Sequence, residues 1–268
     1  MSIPSLDHSA SESAIVSRLR TAGCVFAEEE AQMIMSAAGD AAELEAMVER
    51  RVVGLPLEHV VGYAEFCGLR IEVDAEVFVP RRRTEALVQQ AAELAPPAGA
   101  VVVDLCCGSG ALGVALAAAL DEAELHAADV DPAAVRCARR NVTRAGGEVY
   151  EGDLFAPLPA GLKGRVDVLL SNVPYVPTVE IELLPSEARD HEARVALDGG
   201  VDGLEVLRRV VAEAAEWLAP GGVLLFETSE RQADEAVAAV TGAGLLARVA
   251  TDDELDATVV IASRPDAG

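Results

Sequence analysis

Val101-Val102-Val103-Asp104-Leu105-Cys106-Cys107-Gly108-Ser109-Gly110 is the stretch on which the fold turns. The β-branched run predicts a buried strand, the glycines a tight turn, and the Ala-rich residues 110–120 a buried helix. Glycines at a strand-to-helix turn let a ligand approach the backbone, and the helix N-terminus adds positive potential there. Gly108, Gly110 and Gly113 also have the GxGxxG spacing of dinucleotide sites, so a nicotinamide dinucleotide competes as the ligand.

Downstream, strands and helices alternate. Leu125 to Ala128, Glu148-Val149-Tyr150 and Val166 to Leu170 read as strands. A helix over 132–144 opens on Asp131-Pro132, a side-chain cap followed by proline at the first helical position. A helix over 202–218 carries Leu204, Leu207, Val211 and Leu218 on one face, and Gly221-Gly222 turns into strand Val223 to Phe226. Strands near 245–250 and 258–262 form a closing antiparallel hairpin. Apolar strands separated by helices predict an α/β fold with a parallel sheet covered on both faces. Residues 176–201 lack a period and read as a binding lid.

Upstream, the pattern is helical to about residue 55. Ser11-Glu12-Ser13 is expected to cap a first helix, Glu28-Glu29-Glu30 to open a second and Asp40 a third. From Phe66 to Val79 the period is two, a hairpin signal, and Thr84-Glu85 open a helix to Leu94. The boundary is placed near 75–80: residues 1–75 form a helical domain with a hairpin linker, and 76–268 the α/β domain.

Net charge is −24 over 268 residues, and the pI is about 4.4. Nucleic acids are bound mainly by neutralising phosphates, so direct nucleic-acid binding is not expected. Residues 1–75 are acidic too, five Arg against thirteen Asp and Glu. No apolar run spans a bilayer and residues 1–10 lack the charged start of a leader, so a cytoplasmic protein is expected. Five cysteines without CxxC or histidine at ligand spacing point away from zinc, and no metal is expected.

Acids separate the two cofactor readings. Asp104, ahead of the glycines, suits the methionyl ammonium of S-adenosylmethionine (AdoMet) and opposes a pyrophosphate. Asp129, ending the next strand, suits ribose hydroxyls, and Asp153 in Gly152-Asp153-Leu154-Phe155 suits the adenine amino group.

Asn172-Val173-Pro174-Tyr175 follows the fourth strand. An amide nitrogen is a poor nucleophile because its lone pair is delocalised. The Asn172 side-chain oxygen and the Val173 carbonyl can accept both its N–H hydrogens, with Tyr175 walling the plane. Attack on a sulfonium methyl then needs mainly alignment.

Over nearly its whole length the chain resembles the HemK/PrmC family, the peptide-chain-release-factor glutamine N5-methyltransferases. The resemblance rests on Leu55 to Gly62, Val79-Pro80-Arg81-Arg82-Arg83-Thr84-Glu85, Asp104 to Gly110, Asp129, Gly152 to Phe155, Asn172 to Tyr175, Ala196 to Leu204, and Glu227 with Gln232. It implies a class I AdoMet-dependent methyltransferase domain, a Rossmann-like seven-stranded sheet, behind a small N-terminal helical domain that docks the protein substrate. It implies Arg81, Thr84, Cys106, Gly108, Gly110 and Leu154 beside AdoMet, and methylation of the glutamine in a Gly-Gly-Gln tripeptide of a release factor.

This chain departs from the family pattern at four places, one of them Cys106 where a glycine is common. Val173 replaces the first proline of Asn-Pro-Pro-Tyr. Arg82-Arg83 replaces a proline and an acid, and Ser229 replaces a glycine, where Ser229-x-x-Gln232 suggests a capping box. A nucleic-acid amino methyltransferase and a non-catalytic AdoMet-binding paralogue are the alternatives.

Overall fold

A computed structural model describes residues 5–265, so the first four residues of the stretch read for a leader lie outside it. The chain opens with α1 (Ser5–Thr21), α2 (Ala27–Ala37), α3 (Ala41–Val52) and the short α4 (Leu57–Val61). Leu19, Ile34, Met47 and Val48 pack at their centre. Asp40 caps α3, accepting the N–H groups of Ala42 and Glu43, both at 2.9 Å. Contrary to expectation, Ser11-Glu12-Ser13 cap nothing, because α1 starts upstream and runs through them. Once nucleated, a helix extends through polar residues at small cost per residue.

β1 (Tyr63–Phe66) and β2 (Leu69–Glu72) form the hairpin, which starts earlier and is shorter than the alternation suggested. Cys67 and Gly68, at φ 49° and 72°, make the reversal, the left-handed pair that two-residue hairpin turns require. Phe66 and Ile71 then pack with Leu87, Val102 and Leu116, which anchors the hairpin to the larger sheet's layer of helices.

The remaining elements are α5 (Glu85–Leu94), β3 (Val101–Leu105), α6 (Ala111–Ala119), β4 (Glu124–Asp129), α7 (Pro132–Arg144), β5 (Glu148–Glu151) and β6 (Val166–Ser171). After them come α8 (Ser186–His191), α9 (Glu205–Trp217), β7 (Leu218–Thr228), α10 (Ala233–Gly242), β8 (Leu246–Asp252) and β9 (Ala257–Ser263). Their sheet has seven strands in the order β5-β4-β3-β6-β7-β9-β8. It is parallel through β7, and β9 runs antiparallel to both β7 and β8. One apolar layer holds Phe155, Leu207, Trp217 and Phe226; the opposite one holds Leu87, Leu116 and Val142. Burial on both faces is why these strands read as unbroken apolar runs.

Chain order reverses at β3, which continues to β4 on one side and faces β6 on the other. Ligands bind outside the carboxyl ends of the strands at such a switch point. Two glycines bring α6 close to it. At Gly110 (φ 79°) a Cβ would stand 2.6 Å from Val142, and at Gly113 one would stand 2.8 Å from Leu125 and 3.1 Å from Asp104. Packing of α6 against α7 thus accounts for Gly110, and packing of α6 on β3 and β4 for Gly113. Among the described residues no helix is long and apolar enough to cross a membrane.

Candidate active site

The ends of β3, β4, β5 and β6 converge on a cleft. Of the residues expected beside a cofactor, Arg81, Thr84, Cys106, Gly108, Asp129, Asp153, Leu154 and Asn172 line it; Asp104 and Gly110 do not. Cys106 and Leu154 hold φ of 55° and 48°, conformations uncommon for side chains with a Cβ and concentrated at functional sites.

Asp129 is placed by its own backbone neighbours. One carboxylate oxygen accepts the Gly108 N–H (2.8 Å) and the other the Asp131 N–H (2.9 Å), so β4 and the glycine turn are tied together. Burial raises its pKa, opposed by those two N–H groups. Asp131 separately caps α7 through the Ala133 N–H. Asp153 pairs with Arg209 of α9, which also lines the cleft.

Asp104 lies behind the wall, wholly buried. One oxygen accepts the Gly113 N–H at 2.9 Å; the other, Oδ1, has no partner within the protein. Burial pushes its carboxyl up to about 7, against the Gly113 N–H and with help from Asp129. Burial likewise raises the Cys106 and Cys107 thiols, so both stay protonated and unreactive.

A second cavity adjoins the first and is walled by Val173, Tyr175, Leu184, Pro185, Glu187 and Ala188. Phe78, Arg81, Asn172, Pro174 and Ala196 line both. The two spaces therefore meet at Asn172 and Pro174. Asn172 Oδ1 is buried without a hydrogen-bond partner. Unpaired buried acceptors cost free energy, so the one on Asn172, a residue that lines both spaces, suits a site that receives a donor from a ligand.

Tyr175 is held from two directions. Its hydroxyl donates to Glu227 at 2.8 Å and accepts from Arg83, while Arg83 and Thr84 donate to the same carboxylate at 2.9 and 2.6 Å. Burial and the Glu227 charge raise the Tyr175 pKa, so the phenol stays neutral. Gln232 Nε2 donates to the Tyr175 and Asp202 carbonyls, both at 3.0 Å. No side-chain capping bond forms at Ser229; its hydroxyl bonds the Gln232 side-chain oxygen instead, fixing which end of the amide points inward. Val173 is buried in the same apolar layer as Leu204 and Leu207.

Sequence reading missed four contributors: Phe78, Arg209, Glu187 and Glu192. Glu192 is buried, binds Arg81 at 2.6 and 2.7 Å and accepts the Val79 N–H at 3.1 Å. It sits in the segment without a period, so no local signal marked it.

The strand order, with β9 reversed between β7 and β8, and the cleft at the switch point define a class I methyltransferase. The family model described as "Methyltransferase small domain" matches residues 74–194. A methyltransferase structure from Pyrococcus furiosus superposes with a TM-score of 0.56 over 74% of this chain and 90% of that one; at 18% identity it bears on the fold alone. A release factor glutamine methyltransferase of Geobacter sulfurreducens is 43% identical over 190 residues, 70% of this chain and 66% of the relative, just under two thirds of its length. One from Bradyrhizobium diazoefficiens is 32% identical over 254 residues, 87% of this chain and 86% of the relative. The chain belongs to the release factor glutamine methyltransferase family.

Proposed function

We propose that this chain transfers the methyl group of AdoMet to the side-chain amide nitrogen of a protein glutamine, in the Gly-Gly-Gln tripeptide of a peptide chain release factor. The observation that carries the reading is the junction of two cavities at Asn172 and Pro174, with the unpaired Asn172 Oδ1 between them. AdoMet, when bound, supplies an electrophilic sulfonium methyl.

The chain's own contribution is positioning. Asn172 Oδ1 and the Val173 carbonyl each accept one N–H of the acceptor amide, which aims the nitrogen at the first cavity. Pro174 and Tyr175 wall the amide plane. Proximity and orientation supply most of the acceleration in such a transfer. A strong base is unnecessary, because the methylated nitrogen is acidic and sheds its proton readily.

In this reading Asp129 holds the ribose hydroxyls and Asp153 the adenine amino group. Asp104 answers the charge of the methionyl ammonium. Arg81, Thr84, Cys106, Gly108, Gly110 and Leu154 shape the cofactor's surroundings. Residues 1–75 dock the protein substrate and 76–268 perform the transfer, in the cytoplasm.

The test is incubation with methyl-labelled AdoMet and a Gly-Gly-Gln peptide, followed by fragmentation mass spectrometry. Label on the glutamine side-chain nitrogen supports the reading. Label on nucleic acid added as competitor, or AdoMet binding with no transfer at all, contradicts it.

A further inference from the structure

The segment 184–192 forms one wall of the acceptor cavity, through Leu184, Pro185, Glu187 and Ala188. It is pinned at both ends by acids to arginines from the N-terminal third of the chain. At its far end Glu192 binds Arg81 and the Val79 N–H, and the Ala193 N–H donates to the Glu76 carbonyl at 3.0 Å. At its near end Glu187, on α8, accepts from Arg51 Nη1 at 2.6 Å.

Arg51 is the last basic residue of α3 and is buried among the N-terminal helices. Its guanidinium forks onto Glu30 of α2, Nε at 2.6 Å and Nη2 at 3.1 Å, and Nη1 also donates to the Leu55 carbonyl at 2.9 Å. Arg51 is thus fixed by its own bundle and has one arm left, which reaches a residue 136 positions away on the cavity wall. The two arms differ in surroundings. The Glu30 side chain is 10% exposed and the Glu187 side chain 48%. Ion pairs in water are weak and screened by salt, so the Glu187 arm is the joint that opens first.

We propose that Arg51 is a positioning residue for the acceptor cavity: through Glu187 the N-terminal helices set the place of α8, and with it the wall against which the acceptor peptide lies. The inference rests on the glutamine-methylation reading for its kinetic consequence and on geometry alone for its structural one. Substitution of Arg51 would leave Glu30 buried without its partner and disturb the bundle, so the informative variant is Glu187→Gln, which removes the charge from the exposed arm and leaves the Glu30 pair intact.

For Glu187→Gln, amide hydrogen exchange in residues 184–191 should quicken while exchange in α2 and α3 stays as in the parent chain. The KM for a Gly-Gly-Gln peptide should rise about three- to five-fold, the scale of one half-exposed ion pair, with the affinity for S-adenosylhomocysteine, which binds in the other cavity, within two-fold. The KM of the unmutated chain should rise with salt toward that of the variant, whose KM should respond less. Unchanged exchange in 184–191, or unchanged KM with a peptide the parent chain does methylate, overturns the inference. If the parent chain leaves the peptide unlabelled, the proposed function fails, and exchange alone then decides whether Arg51 holds α8.

Discussion

Glu227, near the end of β7, accepts the hydroxyl hydrogen of Tyr175 at 2.8 Å, so the ring that walls the second cavity is fixed by a carboxylate 52 residues away. Tyr175→Phe keeps the ring and removes that bond. Glu227 retains Arg83 and Thr84, so it is not left bare. A hydrogen bond to a charged group contributes about 1.5–3 kcal/mol. The variant should lose about that much stability, read as a fall of a few degrees in Tm, and its kcat should fall several-fold with cofactor affinity unchanged. A Tm equal to the parent's would mean the bond stabilises nothing.

Gln232 acts on the same residue from the backbone side. Its amide nitrogen serves two carbonyls, Tyr175 and Asp202, that lie in different loops. Gln232→Glu keeps size and acceptors but removes both donors, so it should impair kcat as severely as Gln232→Ala. A fully active Gln232→Glu would show that the donors do not position the acceptor loop.

Asp104 predicts a pH dependence whose sign can be worked out. Its folded pKa, about 7, lies above the ordinary 3.8, so the folded chain keeps a proton that the unfolded chain has lost. Its contribution to stability therefore falls as pH rises from about 4 to about 7 and is constant above that. In the proposed function, a cationic ammonium bound on the other side of the cleft wall would favour the ionised form. Binding of S-adenosylhomocysteine should tighten between pH 5 and 7, below the range where the ligand's own amine titrates. Calorimetry in two buffers at about pH 6.5 should detect proton release, and Asp104→Asn should abolish it. Equal release by both proteins would remove Asp104 from the cofactor site.

Val173 is where this chain leaves the Asn-Pro-Pro-Tyr pattern, and its side chain is buried in the layer with Leu204 and Leu207. In the proposed role only its carbonyl is used, as an acceptor for one amide N–H. Val173→Pro restores a fixed φ and fills similar space, so turnover should stay within a few-fold or rise. Complete loss would mean that valine serves a different acceptor.

The parallel sheet was legible because its strands are buried on both faces and separated by helices of ordinary length, and Asp131-Pro132 marks its helix start unambiguously. The acids at the strand ends were legible because the switch point collects them. The hairpin was read several residues late, since the reversal depends on the left-handed conformation of Cys67, which its side chain does not advertise. The cavity wall was legible only as the aperiodic segment 176–201 read as a binding lid, and Val176, Leu184, Pro185, Glu187 and Ala188 of that segment do line the second cavity; the pairings that hold it were not legible. Glu192 pairs with Arg81 across 111 positions and Glu187 with Arg51 across 136, and neither pairing leaves a local period.

The most direct test of the account is Asn172→Ala, measured for both methyl transfer and cofactor binding. If Asn172 Oδ1 orients the acceptor amide, its loss should lower kcat by about 10²–10³, the scale of one preorganised polar contact in an active site. Affinity for S-adenosylhomocysteine should stay within a few-fold. Parallel loss of transfer and cofactor binding, or transfer near the parent rate, would contradict the central claim.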